Sequence, residues 1–207
     1  MEDLKHNDEI NGVRSFFYEI IKMSFYKEPD ENYLNIIGEF IRNIDSDVYR
    51  ESEHFSEKLG QMVDMFSFNI SNLSTDEIKD EYNELFINPF SNNLINTNAS
   101  YYIDKKNFGD TLINLRSFLK RNDLEKSAKL KEPEDSITFL TDLMIYLINS
   151  NDTSENQIEL FENFIEPLFL NIQSVLKTNE KANFYKCIGY LIDFFLTLEK
   201  GYIAEIS

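Results

Sequence analysis

Apolar side chains recur at intervals of three and four residues along almost the whole chain. This spacing places them on one face of an α-helix, and no stretch follows the two-residue period of a strand convincingly. The 207 residues include only six glycines and four prolines, so residues that form turns are scarce. The sequence therefore predicts an all-α fold as a single domain over residues 1–207, with or without a small C-terminal helical subdomain.

Local signals predict where several helices begin. Ser74 with Glu77, and Ser154 with Gln157, have the spacing of capping boxes, in which the side chains bond the exposed backbone N–H groups of a first turn. Pro133 is typical of a first-turn proline. Within a later helix, a proline at position 167 predicts a kink or a restart. The face that we expect the first helix to bury consists of Val13, Phe16, Phe17, Ile20, Ile21 and Ser24.

The helical spacing stops in two places. Residues 87–106 are rich in Asn and predict a loop of about 20 residues, a length that is uncommon inside a compact domain and is usually functional or disordered. Because aromatic and aliphatic residues interrupt this loop, we expect it to pack against the helices. Residues 120–132 predict a charged linker before the next helix.

The formal net charge of −17 limits the partners that the chain can bind. Such a surface repels nucleic acid and anionic membranes. It favours a basic protein or peptide. Acidity that only maintains solubility explains the charge equally well.

Several features indicate a cytoplasmic protein that does not insert into a membrane. Cys187 is the only cysteine, which excludes an intrachain disulfide, and the first residues lack a basic stretch followed by an apolar one. The most apolar windows, residues 137–148 and 187–198, each contain an aspartate and are too short to span a bilayer.

The usual signatures of catalysis are missing from the sequence. The six glycines are scattered singly, so there is no phosphate-binding loop, and no recognisable nucleophile motif is present. Two histidines and one cysteine do not make a typical zinc site, and Glu51–His54 is more typical of a solvated helix face than of a metal contact. We therefore expect no metal, no cofactor and no enzymatic activity.

Two segments carry ordered motifs. Tyr82, Leu85 and Phe86 precede a proline, and a Ser-x-Tyr element follows in the long loop; further on comes Glu-Pro-x-Asp-x-Ile at 132–137. By pattern alone, the first three residues are more often core than binding surface. An Asp or Ser at the start of a helix is also more often only an N-cap.

Taken in order, these motifs resemble those of the TorD/DmsD/NarJ family of molybdoenzyme-specific chaperones. The resemblance covers roughly residues 75 to 200. Ser136 stands where the family has a histidine, Ala99 stands where a glutamate is common, and the family's tryptophans are absent. The peptide-binding residues that the resemblance implies are Tyr82, Leu85, Phe86, Pro89, Ser100, Tyr102, Pro133, Asp135 and Ser136.

The resemblance implies a helical chaperone that binds the twin-arginine leader of a molybdoenzyme precursor, with or without its catalytic subunit, until the molybdenum cofactor has been inserted. It implies a monomer or a domain-swapped dimer. The alternative hypothesis is an acidic helical adaptor that binds a protein partner without a role in cofactor loading. A nucleotide-hydrolysing helical protein is a weaker third hypothesis, because no phosphate loop is visible.

Overall fold

The chain, in a computed structural model, is described over residues 2–44, 53–127, 130–150 and 153–207. Throughout these residues it forms helices and loops without a β-strand, which confirms the all-α prediction. The helices α1 to α10 are Glu2–Tyr26, Glu31–Asn43, Glu53–Asn72, Thr75–Tyr82, Ala99–Ile103, Asp110–Arg121, Ile137–Asn149, Ser154–Leu160, Glu166–Thr178 and Phe184–Ile206. Two π-helical turns, Asn83–Ile87 and Phe161–Ile165, directly follow α4 and α8.

One of the two capping boxes forms as expected. Ser74 is the N-cap of α4, its backbone N–H donates to the Glu77 carboxylate at 2.8 Å, and its hydroxyl accepts from the Glu77 N–H. The box at Ser154 was wrongly predicted, because Ser154 already lies inside α8 and Thr153 is the N-cap. Gln157 is buried, and its side chain instead accepts a hydrogen bond from α1.

The buried face of α1 differs from the expected one. Phe17, Ile20, Ile21 and Ser24 are buried as expected, but the prediction was wrong for Val13 and Phe16, which are exposed. Arg14 is buried in their place, and its guanidinium donates to Gln157 Oε1 at 3.0 Å. A long-range polar contact is therefore part of the buried face of this helix, and hydrophobic spacing alone does not reveal it.

The two irregular regions lie close to where the sequence places them. The loop expected over 87–106 contains the short helix α5, and Ile95 and Ala99 are buried, so the segment packs as expected. After α6 ends, the charged linker continues to the start of α7, with residues 128 and 129 outside the described part. Glu51–His54, considered above as a metal contact, have side chains outside the described residues.

The chain divides into two compact units, and unit 1 comprises Met1–Phe25, Asn96–Leu168 and Ile203–Ser207. In this unit α7 packs against α8 and the π-helical turn that follows it, and α5 packs against α6. The rings of Phe118 and Phe164 lie 6.3 Å apart in its core. After the π-helical turn, α9 begins at Glu166 with a proline in its first turn, which confirms the restart predicted at position 167.

Unit 2 comprises Tyr26–Ile95 and Phe169–Tyr202. Helices α2 and α3 pack together, and aromatic rings form the centre of the unit. The ring of Phe184 lies 6.4 Å from that of Tyr33 and 6.3 Å from that of Phe66. Over the described residues of the chain, no helix combines the length and the hydrophobicity needed to cross a bilayer.

Candidate peptide-binding site

The Ser-x-Tyr element and the Glu-Pro-x-Asp element, far apart in the sequence, meet in unit 1. Asn98 and Ser136 form an antiparallel β-bridge, and the Ala99 N–H donates to the Asp135 carbonyl at 2.8 Å. Ser136 is also the N-cap of α7, where its hydroxyl accepts from the Phe139 N–H. Backbone pairing therefore fixes the position of the long loop against the start of α7.

The Asp135 side chain completes this junction. It is fully buried, and its Oδ2 accepts the Ser100 N–H at 3.0 Å, so it caps α5 rather than its own helix. Its Oδ1 is also buried and has no hydrogen-bond partner among the described residues. Buried acceptors are nearly always paired, and an unpaired one calls for an explanation. Asp135 therefore has acceptor capacity that the fold does not use.

Ser100 and Tyr102 hold the loop in shape. Ser100 is buried and its Oγ accepts the Phe108 N–H at 3.1 Å. The Tyr102 hydroxyl donates to the Asn96 carbonyl at 2.8 Å, and burial raises the pKa of Tyr102 well above its usual value. Both polar groups are thus engaged within the loop.

The connection between α5 and α6 is tightly built. The Asp104 carboxylate accepts the Thr111 N–H at 2.9 Å and so caps α6, whose N-cap residue Gly109 has no side chain to do so. A Cβ atom on Gly109 would lie 2.7 Å from the Asp104 Cβ, which leaves no room for another residue. Lys105 and Phe108 take left-handed backbone conformations with φ of 60° and 59°. Such conformations are costly for bulky residues and concentrate at functional sites.

This connection presents apolar side chains to solvent. The strained residue, Phe108, is 68% exposed. Contiguous exposed apolar residues mark interaction sites in many proteins. We call the following set the α5–α6 surface: Tyr101, Ile103, Phe108 and Ile113, all of which are exposed.

Carboxylates lie next to this surface. The Glu134 side chain is only 15% exposed and accepts two hydrogen bonds from the Arg116 guanidinium, at 3.2 Å from Nε and 3.0 Å from Nη2. Burial raises the pKa of Glu134, but the bonds and charge of Arg116, a backbone hydrogen bond and the charge of Lys126 together outweigh burial and hold that pKa below its usual value. Ile113 lies one turn before Arg116 on α6, so the apolar surface continues directly to the ion pair. Glu132 accepts from the Thr138 hydroxyl nearby.

Pro133 is not in the first turn of α7, and that prediction was wrong. The helix begins at Ile137 behind its Ser136 cap, and the Ser136 N–H donates to the Pro133 carbonyl at 3.1 Å. Pro133 therefore forms the turn that carries the chain into the cap. The reason for the error is that a proline three residues upstream of an N-cap has the same sequence environment as a first-turn proline.

The remaining four expected residues lie in unit 2. Tyr82 and Leu85 are buried, and Pro89 is exposed. Phe86 is half-buried, with its ring 5.5 Å from that of Tyr82 and 4.8 Å from that of Tyr185. The peptide-binding role of these four residues stays a prediction, and the contacts of Tyr82 and Phe86 are those of an aromatic core.

The structure thus brings together Ser100, Tyr102, Pro133, Asp135 and Ser136 in one unit. Sequence reasoning missed three neighbouring residues, namely Phe108, Arg116 and Glu134. The position of Glu134 inside the Glu-Pro-x-Asp element was a usable signal. No local signal marked Phe108 or Arg116, because their roles depend on a backbone conformation and on a contact across 18 residues.

One family model matches the chain. It is described as the nitrate reductase delta subunit, and it covers residues 50–171, which is more than half of the 207-residue chain. The matched range includes both motif segments. Comparison with curated proteins gives no match.

Proposed function

The chain belongs to the nitrate reductase delta subunit family, whose members are maturation chaperones of molybdoenzymes, and from this premise we propose that it binds the twin-arginine leader of a molybdoenzyme precursor. Binding takes place in the cytoplasm and holds back export until the molybdenum cofactor has been inserted into the client. The cofactor is cargo of the client enzyme. The chaperone itself acts by binding and not by catalysis.

One observation carries this proposal: the α5–α6 surface continues along α6 to the carboxylate of Glu134. A twin-arginine leader has a basic stretch followed by a moderately apolar one. A receptor for it needs exposed apolar groups and, next to them, negative charge. Unit 1 supplies both within the matched range of the family, and the net charge of −17 suits a cationic ligand.

The two halves of this surface have different tasks. Burying a Leu or Phe side chain is worth roughly 1.5–3 kcal/mol. An exposed ion pair contributes about 0–1 kcal/mol. The exposed aromatic and aliphatic residues therefore set the affinity, while the carboxylates set the orientation of the leader and the rate at which it associates.

Calorimetric titration of the full chain with a synthetic twin-arginine leader tests the proposal. The leader is taken from a molybdoenzyme precursor of the same genome, and we expect saturable binding that weakens with salt. Phe108→Asn removes the most exposed ring of the α5–α6 surface, and Asn tolerates its left-handed backbone. We expect this variant to bind the leader about tenfold more weakly, which corresponds to roughly 1.4 kcal/mol of lost burial.

Phe90→Asn is the matched control, because Phe90 is a loop phenylalanine of unit 2 that is 92% exposed. We expect the affinity of the Phe90→Asn variant for the leader to equal that of the wild type. Equal weakening by both substitutions contradicts a specific role of the α5–α6 surface. If no leader of any molybdoenzyme in the genome binds, the proposed function is wrong.

A further inference from the structure

A pocket of about 500 Å³ lies on unit 1 beside the carboxylate of Glu134. Helix α6 forms one wall, and the chain after α6 forms another. Leu119 and Leu124 provide apolar lining, and the Leu124 N–H donates to the Leu119 carbonyl at 2.9 Å, so this wall is held in place. The charged residues around the pocket are Arg116, Lys120, Asp123, Glu125, Lys126 and Glu134.

The charges around the pocket balance only while Arg116 is in place. Three cationic and three anionic side chains line it. If the Arg116 side chain swings away, the pocket is left with one net negative charge. The Asp135 carboxylate also acts on Arg116 electrostatically, and one of its oxygens is unpaired among the described residues. A second guanidinium restores the balance.

The contact between Arg116 and Glu134 is one that is easily exchanged. Arg116 is 58% exposed at its side chain, whereas Glu134 is 15% exposed. The anion is thus held by the fold, and more than half of the cationic side chain lies in solvent. Lys126 Nζ also lies 4.0 Å from Glu134 Oε2, but it donates to the Glu132 carbonyl at 2.7 Å, so the hydrogen bonds to the carboxylate come from Arg116. Exposed ion pairs contribute little to stability, because water solvates the separated charges well. The bidentate geometry also matches how a carboxylate binds any arginine.

From these observations we infer that the pocket is a guanidinium-binding site for an arginine of the partner, and that Arg116 occupies its carboxylate until the partner arrives. This inference deepens the proposed function and rests on it, since it names the subsite for the basic stretch of the leader. The methylene groups of the incoming arginine lie against Leu119 and Leu124. Its guanidinium takes over the two bonds to Glu134. Arg116 turns outward.

Substitution of Arg116 therefore strengthens binding instead of weakening it. We expect Arg116→Gln to bind the twin-arginine leader about two- to fivefold more tightly than the wild type. The factor is small because the arginine of the leader has to displace Arg116 only from an exposed ion pair. With a leader in which both arginines are replaced by glutamine, we expect the variant and the wild type to bind equally. In a Glu134→Gln background, Arg116→Gln no longer increases the affinity.

Arg121→Gln is the matched control. Arg121 lies on the same helix, is 57% exposed, and its Nη2 donates to both carboxylate oxygens of Glu159 at 2.6 Å. It does not line the pocket, so its substitution changes the net charge by the same amount without clearing the site. We expect leader affinity close to that of the wild type. If Arg116→Gln and Arg121→Gln have the same effect, or if Arg116→Gln weakens binding, the inference is overturned.

Titration of the same proteins with N-acetyl-arginine amide, followed by NMR, separates this inference from the proposed function. Tighter binding of the amide to Arg116→Gln without any binding of the leader supports the guanidinium site and overturns the leader-chaperone proposal. Leader binding that is unaffected by Arg116→Gln supports the chaperone proposal and overturns the site. If neither probe binds to any variant, both proposals are wrong.

Discussion

Two buried carboxylates, one in each unit, receive backbone N–H groups from the start of another helix. In unit 2, both oxygens of Glu81 are used: they accept the N–H groups of Asn183, Phe184 and Tyr185 at 2.9, 3.1 and 2.8 Å and so cap α10. In unit 1, Asp135 accepts one N–H and keeps an oxygen unpaired among the described residues. The first carboxylate is fully used by the fold, whereas the second has one buried oxygen without a hydrogen-bond partner among the described residues.

The largest expected effect is on stability, at Glu81. Glu81→Ala leaves three N–H groups at the start of α10 without their acceptor. Two of these groups belong to the buried residues Phe184 and Tyr185. We expect the free energy of unfolding to fall by about 2–4 kcal/mol, measured by urea denaturation of the full chain. Glu77→Ala, at the exposed capping box of α4, serves as control with an expected loss of about 1 kcal/mol. If both variants lose the same free energy of unfolding, the greater burial of the Glu81 carboxylate has no effect on stability, which contradicts this expectation.

The next largest effect is on the stability of the connection between α5 and α6. Gly109→Ala places a methyl group against Asp104 and disturbs the cap of α6. We expect a loss of about 1–3 kcal/mol in the free energy of unfolding. Gly12→Ala, in α1, meets no atom within 4 Å and is expected to stabilise the protein by up to about 1 kcal/mol. If Gly109→Ala leaves the free energy of unfolding unchanged, the connection between α5 and α6 is not tightly packed.

At Asp135 we expect binding to change more than stability. Asn retains an oxygen for the Ser100 N–H and replaces the unpaired oxygen with an amide nitrogen. The free energy of unfolding of Asp135→Asn changes by less than about 1 kcal/mol, and the affinity for the leader falls about fivefold through the lost charge. Thermal unfolding and calorimetry on the same sample measure both. A loss of more than about 2 kcal/mol in the free energy of unfolding, with unchanged affinity of the folded protein for the leader, shows that Asp135 is a structural cap like Glu81.

The smallest effect is the pH dependence of stability. Burial raises the pKa of Glu81 above 4.5, although its three N–H bonds oppose this shift. The native state then binds the proton more tightly than the unfolded state, so this contribution to stability is complete below pH 4.5 and is lost as pH rises through the raised pKa. We expect the difference in the free energy of unfolding between Glu81→Gln and wild type to grow in favour of the variant above pH 4.5. A difference that does not vary with pH contradicts the raised pKa.

The pKa of Asp193, also in unit 2, is shifted in the opposite direction. Burial raises its pKa, but Lys177 and Lys58, each 2.8 Å away, outweigh burial and lower that pKa below 3.8. Its contribution to stability is therefore present above pH 3.8 and is lost as pH falls through the lowered pKa. The two carboxylates differ in what surrounds them: amide dipoles around Glu81 and full positive charges around Asp193.

Much of the fold could be predicted because local signals carry it. The helical spacing gave the helices, and the capping box at Ser74 gave the start of α4, since both depend on residues within one or two turns. The errors at Val13 and Pro133 arose where a distant contact or a neighbouring cap decided the outcome. Arg14 reaches Gln157 across 143 residues, and no periodicity contains that information.

The site was predictable only in part for the same reason. The family motifs gave Ser100 and Asp135, and the structure joins them by a hydrogen bond across 35 residues. The motifs did not give Arg116, because its role comes from a contact with Glu134. Nor did they give Phe108, which is exposed and has a left-handed backbone next to Gly109.

Hydrogen exchange of the full chain, measured by mass spectrometry with and without a saturating twin-arginine leader, tests the central claim most directly. We expect the leader to slow exchange of backbone amides at residues 99–116 and 132–137, where the exposed rings and the Asp135 junction lie. Slowed exchange elsewhere in the chain with no change in these two segments contradicts a leader site on unit 1.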